Sequence, residues 1–219
     1  MARPIGGYKN AAAKRIPGTT TITGRFKDSG GLIHWAWQTG IDGADYRAVR
    51  DKAADSGTLA HALVEAHLTN TDISDTLESA DPETLEQAQQ GFESWKLWLQ
   101  QTASEVISWE QPLVSEEYQY GGTPDCLIKS NGTGQWALGD WKSGGVYSDA
   151  LLQLAAYQQL FRETHPELSL EPGCHIVRFS KGSGDFSHHY FSVLDDAWRM
   201  FQLFREAYEL DKQIKKRLR

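Results

Sequence analysis

The spacing of apolar residues changes character along the chain. Over 83–103, Leu85, Ala88, Phe92, Trp95 and Leu99 recur at alternating intervals of three and four, the stripe of an amphipathic helix facing a core. Upstream, residues 32–54 read as helical with an interruption at Gly40–Gly43. Ser56 stands as an N-cap before a second helix, Gly57–Leu68. The threonine-rich piece Gly18–Thr23 is weakly strand-like, and Thr69–Pro82 is a polar loop. After residue 105 the pattern shifts to short β-branched and aromatic runs: Val106–Leu113, Tyr118–Tyr120, Thr123–Lys129 and Gln135–Lys142, the last two joined by an NGTG turn at 131–134. Ser148 and Asp149 cap a helix that runs to Thr164 and stops before Pro166. Cys174–Ser180 and His189–Val193 are two more strands, and Asp195 opens a last helix through Trp198, Phe201, Phe204 and Tyr208. This order predicts an α/β (α+β layered) domain, a small mixed central sheet flanked by helices. Its parts are a basic arm and helix (1–54), a core (55–193) and a C-terminal helix with a basic tail (194–219).

At 219 residues and 40% hydrophobic, the chain can bury a core without staples, and disorder is excluded. No apolar run approaches the ~20 residues of a membrane-spanning helix. The basic N-terminus lacks the apolar stretch of a secretory signal, so a cytoplasmic protein without a membrane partner is expected. Two cysteines, Cys126 and Cys174, sit in apolar strands and read as free buried thiols. They cannot supply the four thiolates of an iron–sulfur cluster.

A net charge of −7 argues at first against a nucleic-acid partner, but the charge is unevenly placed. Residues 1–52 carry +5, 53–140 carry −13 and 141–219 carry +1, and the last eight residues hold five cations and no acid. Basic ends are ordinarily solvated faces or frayed tails. An acidic centre between them also suits a cation-dependent nuclease, because bound metal offsets carboxylate charge.

The segments richest in chemistry are Tyr120-Gly-Gly-Thr-Pro-Asp125 and Gly139-Asp140-Trp141-Lys142. Strand alternation sends Asp140 and Lys142 to one side and Trp141 to the other. If the NGTG turn makes a hairpin, Asp125 lies near Asp140, and two carboxylates form a hard oxygen site suited to Mg²⁺ or Mn²⁺. A neighbouring lysine completes the parts for phosphodiester hydrolysis. Alone, D-x-K recurs by chance and reads as a surface ion pair. His61 and Glu65, at i and i+4 on the Gly57–Leu68 helix, share a face with Thr58. A histidine there is ordinarily not a ligand. Gln153 and Tyr157 share a face of the helix after Lys142; they can bond a phosphate or brace the lysine, or simply rim the helix.

Taken together and in order, the helical histidine with Gly57-Thr58, Glu110 in the preceding strand, G-T-P-D, D-x-K-S-G and Q-x-x-x-Y resemble the RecB-type exonuclease branch of the PD-(D/E)XK nuclease superfamily over residues 55–180. The N-terminal Thr20-Thr21-Ile22 and Trp35 faintly resemble phage-type members. The resemblance implies a restriction-endonuclease-like core. It makes His61, Asp125, Asp140 and the backbone carbonyl of Trp141 ligands of Mg²⁺ or Mn²⁺. Lys142 positions or activates the water, Gln153 and Tyr157 orient the phosphate and the lysine, and Glu65 stands behind the ligands. Iron–sulfur cysteines, the RecB helicase portion and a phosphate-binding loop are absent from the sequence.

The implied activity is a metal-dependent DNA exonuclease of recombination or repair, in a bacterial or phage-infected cell. Single-stranded or frayed ends are the preferred DNA, and a single-strand-binding or recombinase protein is a candidate partner. Arg25, Lys27, Trp35, Lys215, Lys216 and Arg217 are weaker candidates for DNA contact, and Tyr8, Phe26 and Trp37 join Trp35 as aromatics able to stack on bases. His188-His189 reads as a surface pair without a partner. An inactive or structure-specific DNA-binding module, an endonuclease, and a hydrolase of other phosphate esters remain open.

Overall fold

The computed structural model describes residues 4–102, 105–129, 134–180 and 185–218. Four helices precede the amphipathic one: α1 (Thr19–Arg25), α2 (Gly30–Ile41), α3 (Tyr46–Thr69) and a short α4 (Ser74–Glu78) within the polar loop. The amphipathic stripe forms α5 (Pro82–Thr102), with Pro82 at its first position and Asp81 accepting from the Thr84 backbone N–H at 3.0 Å. Ala88, Trp95 and Trp98 are fully buried on it.

Three sequence expectations fail locally. Gly18–Thr23 is not a strand but the start of α1, whose Ile22 is buried against α6. Ser56 is not a cap: α3 begins ten residues earlier, where the Asp45 carboxylate accepts from Arg47 N–H at 2.9 Å, and the Ser56 hydroxyl bonds back to the Ala53 carbonyl inside the helix. α6 (Ser148–Thr164) starts as expected, but its N-cap is Tyr147 and makes no side-chain bond. The boundary drawn at 54/55 falls inside α3.

The strands are β1 (Glu105–Trp109), β2 (Leu113–Ser115), β3 (Tyr120–Gly122), β4 (Cys126–Lys129), β5 (Trp136–Lys142), β6 (Leu170–Phe179) and β7 (Phe186–Phe191). Five form a sheet in the order β1-β4-β5-β6-β7, mixed because β5 and β6 are parallel and joined through α6, while β2 and β3 pair separately. β4 and β5 are antiparallel, as a hairpin requires; residues 131–133 of the NGTG turn and the side chains of residues 108 and 109 lie outside the described part.

Alternation along the strands splits the core. Leu127, Leu138, Cys174 and Ile176 face α1, α6 and α7 (Asp195–Arg217) on one side. Cys126, Ile128, Ala137, Trp141 and Val177 face Val64 of α3 and Trp95 and Trp98 of α5 on the other. The result is a mixed central sheet between two helical layers. Among the described residues no helix is long and apolar enough to cross a membrane.

Candidate active site

The β4–β5 register pairs Cys126 with Gly139, so Asp125, just before β4, comes beside Asp140 near the end of β5. Both carboxylates are buried, each 1% exposed. Trp141 N–H donates to Asp125 Oδ2 at 2.9 Å, while Asp125 Oδ1 is buried with no hydrogen-bond partner. Lys142 Nζ donates to Asp140 Oδ1 at 3.0 Å and lies 2.7 Å from Oδ2. Burial, reinforced by the charge of Asp125 and opposed by Lys142, pushes the Asp140 carboxyl up to about 7. Burial works against the Lys142 ammonium, but the charges of Asp140 and Asp125 outweigh it and hold its pKa above the ordinary value.

Residues 121 and 122 bring the loop before Asp125 close to two rings. A Cβ at Gly122 would be driven into Tyr157, and one at Gly121 into Tyr8. Gln153 Nε2 donates to the Tyr157 hydroxyl at 2.8 Å on α6, a buried pair facing this loop. Burial first, then the Asp125 charge, raise the Tyr157 phenol, so it stays protonated. Tyr8 is itself buried and its hydroxyl bonds Thr123 Oγ1 at 2.8 Å, which removes it from the aromatics that could stack on bases.

His61 approaches from the α3 layer, its ring 6.0 Å from that of Trp141. Its neighbour is Glu110, whose Oε1 is 3.7 Å from Nδ1; Glu65, the expected companion, is exposed one turn along the helix. Burial lowers the His61 pKa, but the bond to Glu110 and the charge of Asp125 outweigh it and leave it raised. Glu110 adopts a left-handed φ of 45° and donates its N–H to the Asp125 carbonyl at 3.1 Å. Such backbone in a non-glycine residue is strained and needs surrounding structure to hold it. Its sequence position matched the resemblance, but no local spacing links it to His61, 49 positions away.

The donor set fits a hard divalent cation: two buried carboxylates, one with an unpartnered oxygen, beside an imidazole. Among the described residues, however, no three His, Cys, Asp or Glu side chains are already gathered as a metal cluster. Asp140 is held by Lys142 on the α6 side of β5, while His61 is turned to Glu110 on the α3 side.

The peripheral candidates are partly engaged elsewhere. Arg25 pairs with Asp211 at 3.0 Å, Lys27 with Asp149 at 2.6 Å and Lys215 with Asp211 at 3.0 Å. Phe26 packs on Phe204 with ring centroids 5.2 Å apart, whereas Trp35 and Trp37 are 37% and 59% exposed. Lys216 and Arg217 are exposed near the end of α7. His188 does have a partner: its Nε2 is 2.9 Å from Nδ1 of His175, away from the carboxylates on the β6–β7 side. Cys126 and Cys174 are free and buried.

No curated protein matches the chain. The family model of the PD-(D/E)XK nuclease superfamily matches residues 15–216, so the match takes in the N-terminal helices and α7 as well as the carboxylate hairpin. The chain belongs to the PD-(D/E)XK nuclease superfamily.

Proposed function

We propose that the chain is a Mg²⁺- or Mn²⁺-dependent deoxyribonuclease of the RecB-type branch that degrades DNA from its ends. The observation that carries this reading is the pairing of Asp125 and Asp140 beside Lys142, with a buried Asp125 oxygen left without a partner. His61, Asp125, Asp140 and the carbonyl of Trp141 would hold the cation. When bound, it supplies an acidified water and charge stabilisation for the phosphoryl oxygens. Asp140 would give up its bond to Lys142 in that role, leaving the ammonium to face the nucleophile or the developing phosphate charge. Gln153 and Tyr157 present an amide and a protonated hydroxyl to the phosphate. Glu110 holds His61 in place.

The peripheral candidates would guide the strand: Trp35 by stacking, Lys27 beside Asp149 at the start of α6, Arg25 beside Asp211 of α7, and Lys215, Lys216 and Arg217 on the exposed tail, where binding would be electrostatic and blind to sequence. A role in recombination or repair, in the cytoplasm of a bacterial or phage-infected cell, rests on resemblance alone.

The test uses end-labelled linear DNA, single- and double-stranded, with Mg²⁺, Mn²⁺ or EDTA. Metal-dependent loss of linear DNA of any sequence supports the reading; no cleavage with either metal overturns it. One observation favours a second reading. The engagement of Asp140 by Lys142 and of His61 by Glu110 also suits a DNA-binding module without catalysis, which would retain DNA and show no cleavage in the same assay.

A further inference from the structure

α7 carries two rows of apolar side chains, and the fold uses one of them. Trp198, Phe201, Phe204 and Tyr208 pack against α6 and the end of α1, with Phe201 fully buried and Phe204 on Phe26. The second row lies roughly 140° around the helix, at about 100° per residue. It opens at Asp196, runs through Met200, Leu203, Ala207, Leu210 and Ile214, and closes at Arg217. The steps are 4, 3, 4, 3, 4 and 3, the heptad spacing of a helix that packs along another helix. This row stands in solvent: Met200 and Leu203 are each 47% exposed, Leu210 51% and Ile214 56%.

One apolar row is enough to hold an amphipathic helix on its own domain. A second, exposed and continuous, is a surface kept for a partner. The ends of the row identify that partner. An acid stands at one end and a base at the other, with five uncharged residues between them. The same polarity runs through the terminal turns, with Asp195 and Asp196 in the first and Lys215, Lys216 and Arg217 in the last. A second α7 laid parallel to the first would set acid against acid and base against base. Laid antiparallel, it brings Asp196 of each copy within about one helical turn of Arg217 of the other, while the apolar residues meet between them. The row is complementary to itself in that one orientation, as a two-fold interface between identical surfaces requires.

We propose that the exposed row of α7 is a dimerisation seam, through which two copies of this chain pair by antiparallel α7 helices. The seam runs about 32 Å from Asp196 to Arg217 at 1.5 Å per residue. A single helix on a single helix is a small interface, so the dimer is weak, with a Kd of roughly 1–100 µM. Lys215 and Lys216 fall outside the row and stay on the outer surface of the pair. The pairing is independent of the chemistry at Asp125 and Asp140.

Sedimentation velocity of the full chain in EDTA, without DNA, tests it. Between about 1 and 300 µM the mass should rise from one chain toward two. Leu210→Glu combined with Ile214→Glu should weaken the dimer roughly tenfold or more, because two charges per copy would enter the seam. Both positions are exposed, so the melting temperature of the monomer should hold. Orientation is tested by charge reversal. Asp196→Arg alone and Arg217→Asp alone should each weaken the dimer roughly fivefold, since either change turns both symmetric attractions into repulsions. The two together in one chain should restore the wild-type Kd, because the reversed ends are again complementary when antiparallel. A single-chain mass at every concentration overturns the seam, as does a dimer that the paired glutamates leave unchanged. A doubly reversed chain that dimerises no better than the single variants overturns the antiparallel arrangement.

Discussion

α2 and α6 are both apolar helices, yet they meet opposite fates. α6 buries ten residues, among them Leu152, Leu154, Ala156, Leu160 and Phe161, while α2 buries none. Composition does not separate them; connectivity does. α6 is the crossover between the parallel strands β5 and β6, so it lies on the sheet that the same strands form. α2 joins the ends of two layers and has no sheet beneath it. Apolar content decides whether a helix can be buried, and its place in the topology decides whether it is. An exposed apolar helix therefore points to a surface kept for a partner or substrate.

The largest expected effect strikes the buried side of this contrast at its chemical end. Asp140→Ala should lower metal-dependent cleavage by roughly 10²–10⁴-fold, the size of effect associated with losing a positioned catalytic group, while circular dichroism stays native; loss of the folded signal would give Asp140 a structural role instead. Next, Leu154→Ala on α6, fully buried, should cost about 2–5 kcal/mol in urea unfolding. Trp37→Ala on α2 should change stability by no more than about 0.5 kcal/mol, yet weaken retention of single-stranded DNA. If Trp37→Ala proved as costly as Leu154→Ala, α2 would be packed after all and the contrast would dissolve.

A smaller effect is one of pH. Asp140 holds its proton up to about 7 in the folded protein, against about 3.9 in an unfolded chain. The native state thus binds more protons between those values, so metal-free stability should fall as pH rises through that window. Asp140→Asn should flatten the slope in melting curves taken in EDTA at pH 5 and pH 8. An unchanged slope would assign the titration to another group.

Much of this was legible in the sequence where the signal is periodic or local. The α5 stripe, the β4–β5 pairing and the shared face of Gln153 and Tyr157 follow from spacing alone. Short segments misled where two physical tendencies compete. Thr19–Thr21 favours strands by β-branching, but burial of Ile22 against α6 makes the piece helical. Ser56 looks like a cap because it precedes an apolar run, although the helix already has its cap at Asp45. The partner of His61 was out of reach for a different reason. Glu65 is its neighbour in spacing, whereas Glu110 becomes its neighbour only once β1 is laid beside β4 and Glu110 N–H meets the Asp125 carbonyl.

The two thiols give the sheet a chemical clock. Cys126 lies within the reactive hairpin, packed so closely on Gly139 that a side chain there would collide with its sulfur, and Cys174 lies on β6 beneath α6. Burial pushes the Cys126 thiol up and the Cys174 thiol up to about 12, so in the closed sheet neither offers a thiolate to an alkylating reagent. Each becomes reactive only when its own strand opens. The rate at which each sulfur is labelled then measures separately how often the hairpin and the crossover half of the sheet come apart.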